Sequence, residues 1–262
     1  MYPRNNVLLS TTQGTLIVNR NDSGVGWQLA TFGAYDPPEV DLLRQLALAC
    51  GAGAVVMDIG ANLGVHSVVI GEALRATGGR VLSFEAQRIV FYMLAGNVAI
   101  ASLENVFPHH NAVGAQKGRL AIPTFDYSRP LSFGSVEFGG EQKEFIGQQR
   151  IADPARQEFV DVITVDSLAL PRVDLMKIDV EGMEMDVLDG AAQTIESRQP
   201  ILFLEYLKGD PIALAERLWR WNYALYGVAK NFLGIPARLA THLQLNGLDS
   251  ITRANIHELK GA

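Results

Sequence analysis

Two hydrophobic periods alternate along the chain. Between residues 54 and 114, the short apolar runs "AVVMDI", "RVLSFEA" and "VFPHHNAVG" are separated by the longer segments "VHSVVIGEALRA" and "IVFYMLAGNVAIA". Strand, helix, strand, helix, strand predicts βαβ units joined into a parallel sheet. The pattern resumes with "VDLMKIDV" at residues 173–180, a helix over "MEMDVLDGAAQTIES", and the strand "PILFLEY" at residues 200–206. A helix over "PIALAERLWRWN" and a strand in "YALYGVA" follow. Runs as continuously apolar as these fit strands covered by helices on both faces.

The flanks differ in texture. Residues 1–50, with "GTLIVNRNDSGVGWQLATFG" and a helix in "PPEVDLLRQLALAC", predict a small strand-and-helix cap on a main domain at 51–236. From about residue 125 to 158 the chain turns rich in Gly, Gln, Ser and mixed charge, which predicts a hairpin or loop inserted in the domain. Its "FGSVEF" stretch (133–138) is the expected lid on the acceptor side. Residues 237–262 carry no site signature and read as a packing or dimer segment, which leaves a homo-oligomer open. The expected architecture is α/β, a doubly wound and mostly parallel sheet forming one structural unit.

Composition narrows the partners. With 22 Lys+Arg against 28 Asp+Glu the formal charge is −6, so no basic field draws nucleic acid or an anionic membrane surface. One cysteine, Cys50, allows no intramolecular disulfide, and a reducing cytoplasm is the expected compartment. No run approaches the roughly 18 uninterrupted apolar residues of a membrane-spanning helix, and the N-terminus has no signal-peptide core.

The chemistry begins where the first long strand stops. In "VVMDIGANLGVHS" (residues 55–67) a strand ends in Asp-x-Gly-x-x-x-Gly and runs into a helix, a turn that presents backbone N–H groups to a nucleotide-bearing ligand. Gly60, Asn62 and Gly64 lack the Gly-x-Gly-x-x-Gly spacing that a pyrophosphate requires. The turn suits instead the ammonium and carboxylate of S-adenosylmethionine. Glu85, about 25 residues on at the end of "RVLSFEA", stands where an acid accepts both ribose hydroxyls, and "NAVG" (111–114) flanks the adenine edge.

A second cluster interrupts "VDLMKIDVEGMEMDVLDGA" with Lys177, Asp179 and Glu181, alternating positions that share a strand face. Burying such charges costs several kcal/mol unless they pair or serve a ligand. Glu205 ends the next strand. Asp58, Glu85, Asp179, Glu181 and Glu205 are thereby expected on one carboxyl edge of the sheet, where open α/β sheets bind ligands.

These pieces, with Gly14 in "TTQGTLIV", "NVAIASLENVFPHHNAVG", "FGSVEF", "PILFLEY" and "NFLGIP", resemble the FkbM family of S-adenosylmethionine-dependent methyltransferases over residues 10 to 236. The resemblance implies a seven-stranded Rossmann-like sheet of the class I methyltransferase fold, and O-methylation of a small-molecule acceptor, a hydroxyl of a sugar, polyketide or related natural product. It implies Asp58, Gly60, Asn62 and Gly64 around the methionine part of the cofactor, Glu85 on the ribose and Asn111 and Ala112 by the adenine. Asp179 falls at the amino group or reacting end, with Glu181 beside the acceptor. One departure is visible: "FEA" replaces the family's Phe-Glu-Pro, keeping the acid but altering the loop behind it.

A hydroxyl needs a base or a metal to remove its proton. The candidate bases are Glu181, Glu205 and His66; His66 opens a helix, whose N-terminus disfavours an added positive charge. Lys177 anchors either the acids or the acceptor. Asp179, Glu181 and Glu205 would be the ligands of Mg²⁺ if a metal takes part. Two rival readings remain open. A nicotinamide-dependent oxidoreductase lacks the glycine spacing here, and a non-catalytic module on the same scaffold would be expected to lose the strand-end acids.

Overall fold

The computed structural model describes residues 5–138, 142–151, 155, 157–240 and 247–257. Strands β1 (Asn6–Thr11) and β2 (Gly14–Asn19) pair as an antiparallel hairpin, followed by helices α1 (Val25–Phe32) and α2 (Pro37–Ala49). Asp36 caps α2 by accepting the Glu39 amide, and prolines occupy its first two positions, where an amide would have no helical partner.

The first βαβ run is β3 (Val55–Ile59), α3 (Val65–Leu74), β4 (Arg80–Phe84), α4 (Arg88–Ile100) and β5 (Val106–His109). Then come the short β6 (Ala112–Val113), β7 (Gly118–Ile122) and β8 (Glu158–Ile163), and the second run: β9 (Leu175–Ile178), α5 (Glu184–Gly190), α6 (Ala192–Arg198), β10 (Ile201–Glu205) and α7 (Pro211–Arg220). β11 (Tyr223–Val228), β12 (Asn231–Pro236), α8 (Ala237–Ala240) and β13 (Asp249–Ile251) close the chain.

The main sheet has the order β13-β11-β12-β10-β9-β3-β4-β5. From β10 to β5 the pairs are parallel; β12, β11 and β13 add antiparallel pairs. Seven of these strands are those the resemblance implies, and β13, from the segment after residue 236, adds an eighth. The central strands divide their residues between two cores. Val56, Leu175 and Phe203 pack with the apolar faces of α2, α3 and α4, while Met57, Met176 and Leu202 pack with those of α5, α6 and α7. The sheet is thus doubly wound, and its order reverses between β3 and β9, which opens a crevice at their carboxyl ends.

Two local expectations are corrected. The run "VFPHHNAVG" is not one strand: β5 ends at His109, and β6 joins a separate sheet, β6-β8-β7. His109 stacks on Phe84 and His110 on Phe91, so both rings serve packing. The helix over residues 183–197 is broken at Ala191 (φ −114°, ψ 4°) into α5 and α6. The insertion is held at its root by β7 pairing antiparallel with β8. Among the described residues, no helix is long and apolar enough to cross a membrane.

Candidate active site

A cavity of about 430 Å³ opens over the carboxyl ends of β3, β4, β9 and β10. That is within the range of small-molecule sites. The glycine turn after β3 forms its floor, and both glycines are dictated by packing. Gly60 has φ +81°, and a Cβ there would fall 1.7 Å from the Asp179 carbonyl oxygen. Gly64, at φ +94°, would drive a Cβ to 2.6 Å from Leu94 of α4. Asn62 between them adopts φ +52°, which Asn tolerates better than most residues.

The amides of this turn are largely spent inside the protein. Those of Gly60 and Ala61 donate to the Phe84 carbonyl, and that of Asn62 donates to Glu85 at 3.0 Å. The first turn of α3 beyond Gly64 has no side-chain cap, so its N–H groups are the ones free for an anion. Glu85 accepts from Asn62 through one oxygen and from the Gln87 amide through the other, at 2.7 Å. Each oxygen keeps a lone pair, and the carboxyl lines the cavity while only 6% exposed. Burial pushes Glu85 up to about 7 against the pull of these two amides. Asn111 and Ala112 line the same cavity beyond it.

Asp58 does not line the cavity, contrary to the expectation that it meets the ligand. It is fully buried in β3 beneath the turn, accepting from Ser67 at 2.6 Å and facing Lys177, its register partner on β9, at 3.4 Å. Lys177 Nζ also donates to the Gly60 carbonyl at 3.2 Å and sits 3.5 Å from Asp179. Burial opposes its charge, but Asp58, Asp179 and Glu39 hold its pKa above the usual lysine value. Lys177 therefore anchors the turn and the acids together.

Asp179, Glu181 and Glu205 converge: one oxygen from each lies within 4.8 Å of the others, a donor set suited to a hard cation. Lysines already stand against two of the three, Lys177 at Asp179 and Lys208 at Glu181 (2.5 Å). Glu181 holds a backbone φ of +58°, a conformation that costs on the order of 1–3 kcal/mol and gathers at functional sites. Glu184 fixes that turn by accepting the amides of Val180 and Gly182. Burial first, then Asp179, raises the proton affinity of both Glu181 and Glu205; each keeps its proton far above the ordinary carboxylate range.

His66 lines the cavity from α3, its Nε2 3.3 Å from Glu39 of α2. Gly134, Ser135, Val136 and Phe138 of the "FGSVEF" segment line the cavity. Gln87 donates to the Phe133 carbonyl at 2.7 Å, Asp22 accepts the Phe133 amide, and Lys208 donates to the Ser135 carbonyl. Glu39, Gln87 and Lys208 had no motif to mark them, and Asn231 entered only as the first residue of "NFLGIP", with no role assigned. Tertiary packing brings these polar residues to the site.

Residues 58–224, more than half of the chain, match the methyltransferase FkbM domain. The methyltransferase sdnD of Sordaria araneosa is 25% identical over 157 residues, 52% of this chain and 59% of that protein. The hexuronic acid methyltransferase AglP of Haloferax volcanii is 25% identical over 173 residues, 66% of this chain and 64% of that protein. The chain thus spans less than two thirds of the length of either relative. A solved structure of a methyltransferase FkbM from Methylobacillus flagellatus superimposes with a TM-score of 0.46 at 19% identity, over 66% of this chain and 38% of that one. By the extent of the domain match, the chain belongs to the FkbM family of methyltransferases.

Proposed function

We propose that the chain is an S-adenosylmethionine-dependent O-methyltransferase acting on a hydroxyl of a sugar or other natural-product small molecule. The observation that carries this reading is the division of one cavity into two chemical ends. At one end Glu85, with lone pairs to spare on both oxygens, stands beside the open N-terminus of α3. At the other, Asp179, Glu181 and Glu205 converge.

The residues present fit the cofactor. Glu85 would accept the ribose hydroxyls, the amides of the α3 first turn the carboxylate, Asp179 the ammonium, and Asn111 with Ala112 the adenine edge. Bound there, S-adenosylmethionine supplies a methyl group activated by a sulfonium. The chain's part is to align the acceptor oxygen with that methyl and exclude water, and the "FGSVEF" segment, seated by Gln87 and Asp22, does the excluding. Asp179, Glu181 and Glu205 are the residues that would hold a divalent cation; Lys177 and Lys208 already supply positive charge there, and no step of this reading passes through a metal. The name of the AglP relative supports a sugar as the acceptor class.

Calorimetry of the purified chain with S-adenosylmethionine and with NAD tests the cofactor. Micromolar binding of S-adenosylmethionine, weakened about tenfold or more by Glu85→Ala through loss of charge-assisted hydrogen bonds, is expected. NAD binding without a response to S-adenosylmethionine would sink the reading. A panel of neutral sugars, uronic acids and polyketide alcohols, scored by mass gain of one methyl, then tests the acceptor.

A further inference from the structure

We propose that Glu39, from the helix that precedes the matched domain, positions His66 so that His66 Nδ1 takes the proton of the acceptor hydroxyl. The proposal rests on the methyltransferase reading above. His66 is 5% exposed and lines the cavity. Its two nitrogens stand in different surroundings. Nε2 is sealed from solvent and has no aligned hydrogen bond, but Glu39 Oε1 lies 3.3 Å from it, within ion-pair distance. Nδ1 has no hydrogen-bond partner among the described residues and is not sealed, so it is the nitrogen left to the cavity.

Glu39 is itself held in place. Its second oxygen accepts from Asn231 Nδ2 at 2.9 Å, and the Tyr35 ring stands edge-on to the imidazole at 6.2 Å. Burial favours the neutral form of Glu39, yet the nearby His66, with Lys177 and Asn231, holds its pKa below the usual carboxylate value. An ionised Glu39 accepts the proton on Nε2 and leaves the lone pair on Nδ1. A carboxylate that fixes a tautomer and then stabilises the imidazolium is a positioning residue. Glu39 and Asn231 both lie outside residues 58–224, so the relay draws on the two flanks of the family domain.

The other acids are less suited to accept this proton. Glu181 Oε2 is held by Lys208 Nζ at 2.5 Å, and Glu205 shares its surroundings with Asp179 and Glu181, one oxygen of each lying within 4.8 Å of the others. The other charged groups lining the same cavity are Asp36 before α2, Glu85 after β4, Lys177, Asp179 and Glu181 from β9 and the turn after it, Glu205 from β10, and Lys230 before β12. Among the described residues only Glu39 is within ion-pair distance of His66. In the step, the hydroxyl proton passes to Nδ1 and the oxygen's electron pair forms the O–C bond. The S–C bonding pair stays on sulfur, giving a thioether, and the imidazolium later loses its proton to water.

Nitrogen-15 NMR of the free wild-type protein, labelled at histidine, tests the positioning without turnover. The neutral imidazole of His66 is expected as the Nε2–H tautomer, and Glu39→Gln should abolish that preference. In turnover, His66→Gln should lower kcat by roughly 10²–10⁴-fold, the usual worth of a positioned base. Glu39→Gln should lower kcat about tenfold or more and leave calorimetric affinity for S-adenosylmethionine unchanged. An Nδ1–H tautomer in the wild type overturns the proposal. So does a folded Glu39→Gln protein with full kcat, or a loss of rate confined to Glu181→Gln. If the Glu39 variant fails to fold, the wild-type tautomer decides. Failure of wild-type protein to bind S-adenosylmethionine strikes the underlying reading, whereas the tautomer result strikes only this proposal.

Discussion

A lysine 3% exposed in the middle of a parallel sheet is tolerable only if its ammonium meets oxygen in every direction. Lys177 meets Asp58, Asp179 and the Gly60 carbonyl, so one charge ties the floor of the cavity to its acidic wall. Lys177→Met keeps the apolar stem but leaves two carboxylates uncompensated. Its expected cost is about 3–5 kcal/mol, the usual penalty for removing one partner of a buried pair. Thermal unfolding measures it, and a melting temperature within about 2 °C of wild type would show that the lysine is dispensable. The double variant Asp58→Asn, Lys177→Met should recover part of the loss, because one orphaned charge is then gone. The same residues show where a motif misleads. Strand alternation tells which side of the sheet Asp58 faces, but the turn folds over it, and its charge is met by Lys177 before any ligand can reach it.

At the scale of elements, β3, β4, β9, β10 and helices α3, α4 and α7 are legible in the chain because their apolar period and the turn residues at their ends agree. Three other features are not. β7 and β8 pair across the long insertion, and no local turn announces that hairpin. β13 is three residues long and gains its place only by pairing with β11. The break between α5 and α6 falls at an alanine, which local propensity would have kept helical. The inserted segment itself is docked by tertiary bonds. Asp22, 3% exposed, accepts the amides of Gly24 (3.0 Å), Gly26 (2.7 Å) and Phe133 (3.3 Å), so it ties the N-terminal cap to the segment lining the cavity. Asp22→Ala orphans these donors and should cost about 1–3 kcal/mol. Hydrogen exchange at the Phe133 amide and its neighbours should quicken well beyond the global change. Wild-type exchange there in a folded variant would mean that Asp22 is not the tie.

For the whole molecule, the site leaves a mark on stability. Glu85, Glu181, Glu184 and Glu205 are each raised in proton affinity chiefly by burial, Glu85 to about 7. A carboxyl whose folded pKa lies above its unfolded value stabilises the fold fully below the unfolded pKa. That stability is lost as pH climbs through the folded value. From about pH 5 to pH 8 the folded chain therefore holds more protons than the unfolded one. Its stability should fall across this window by about 1.4 kcal/mol per pH unit for each proton so retained. Glu39, lowered in the folded state, acts in the opposite sense but below this window, where its stabilising contribution is lost on acidification. His109, held neutral by burial against Phe84, offsets one proton's worth near pH 6 and no more. The ligand-free protein should thus melt at a clearly higher temperature at pH 5.5 than at pH 8.5. Glu85→Gln, which keeps the side chain's shape without its titration, should remove part of that slope. Calorimetric scans that are flat across the window, or that rise toward pH 8.5, would show that these acids are better solvated than their burial implies.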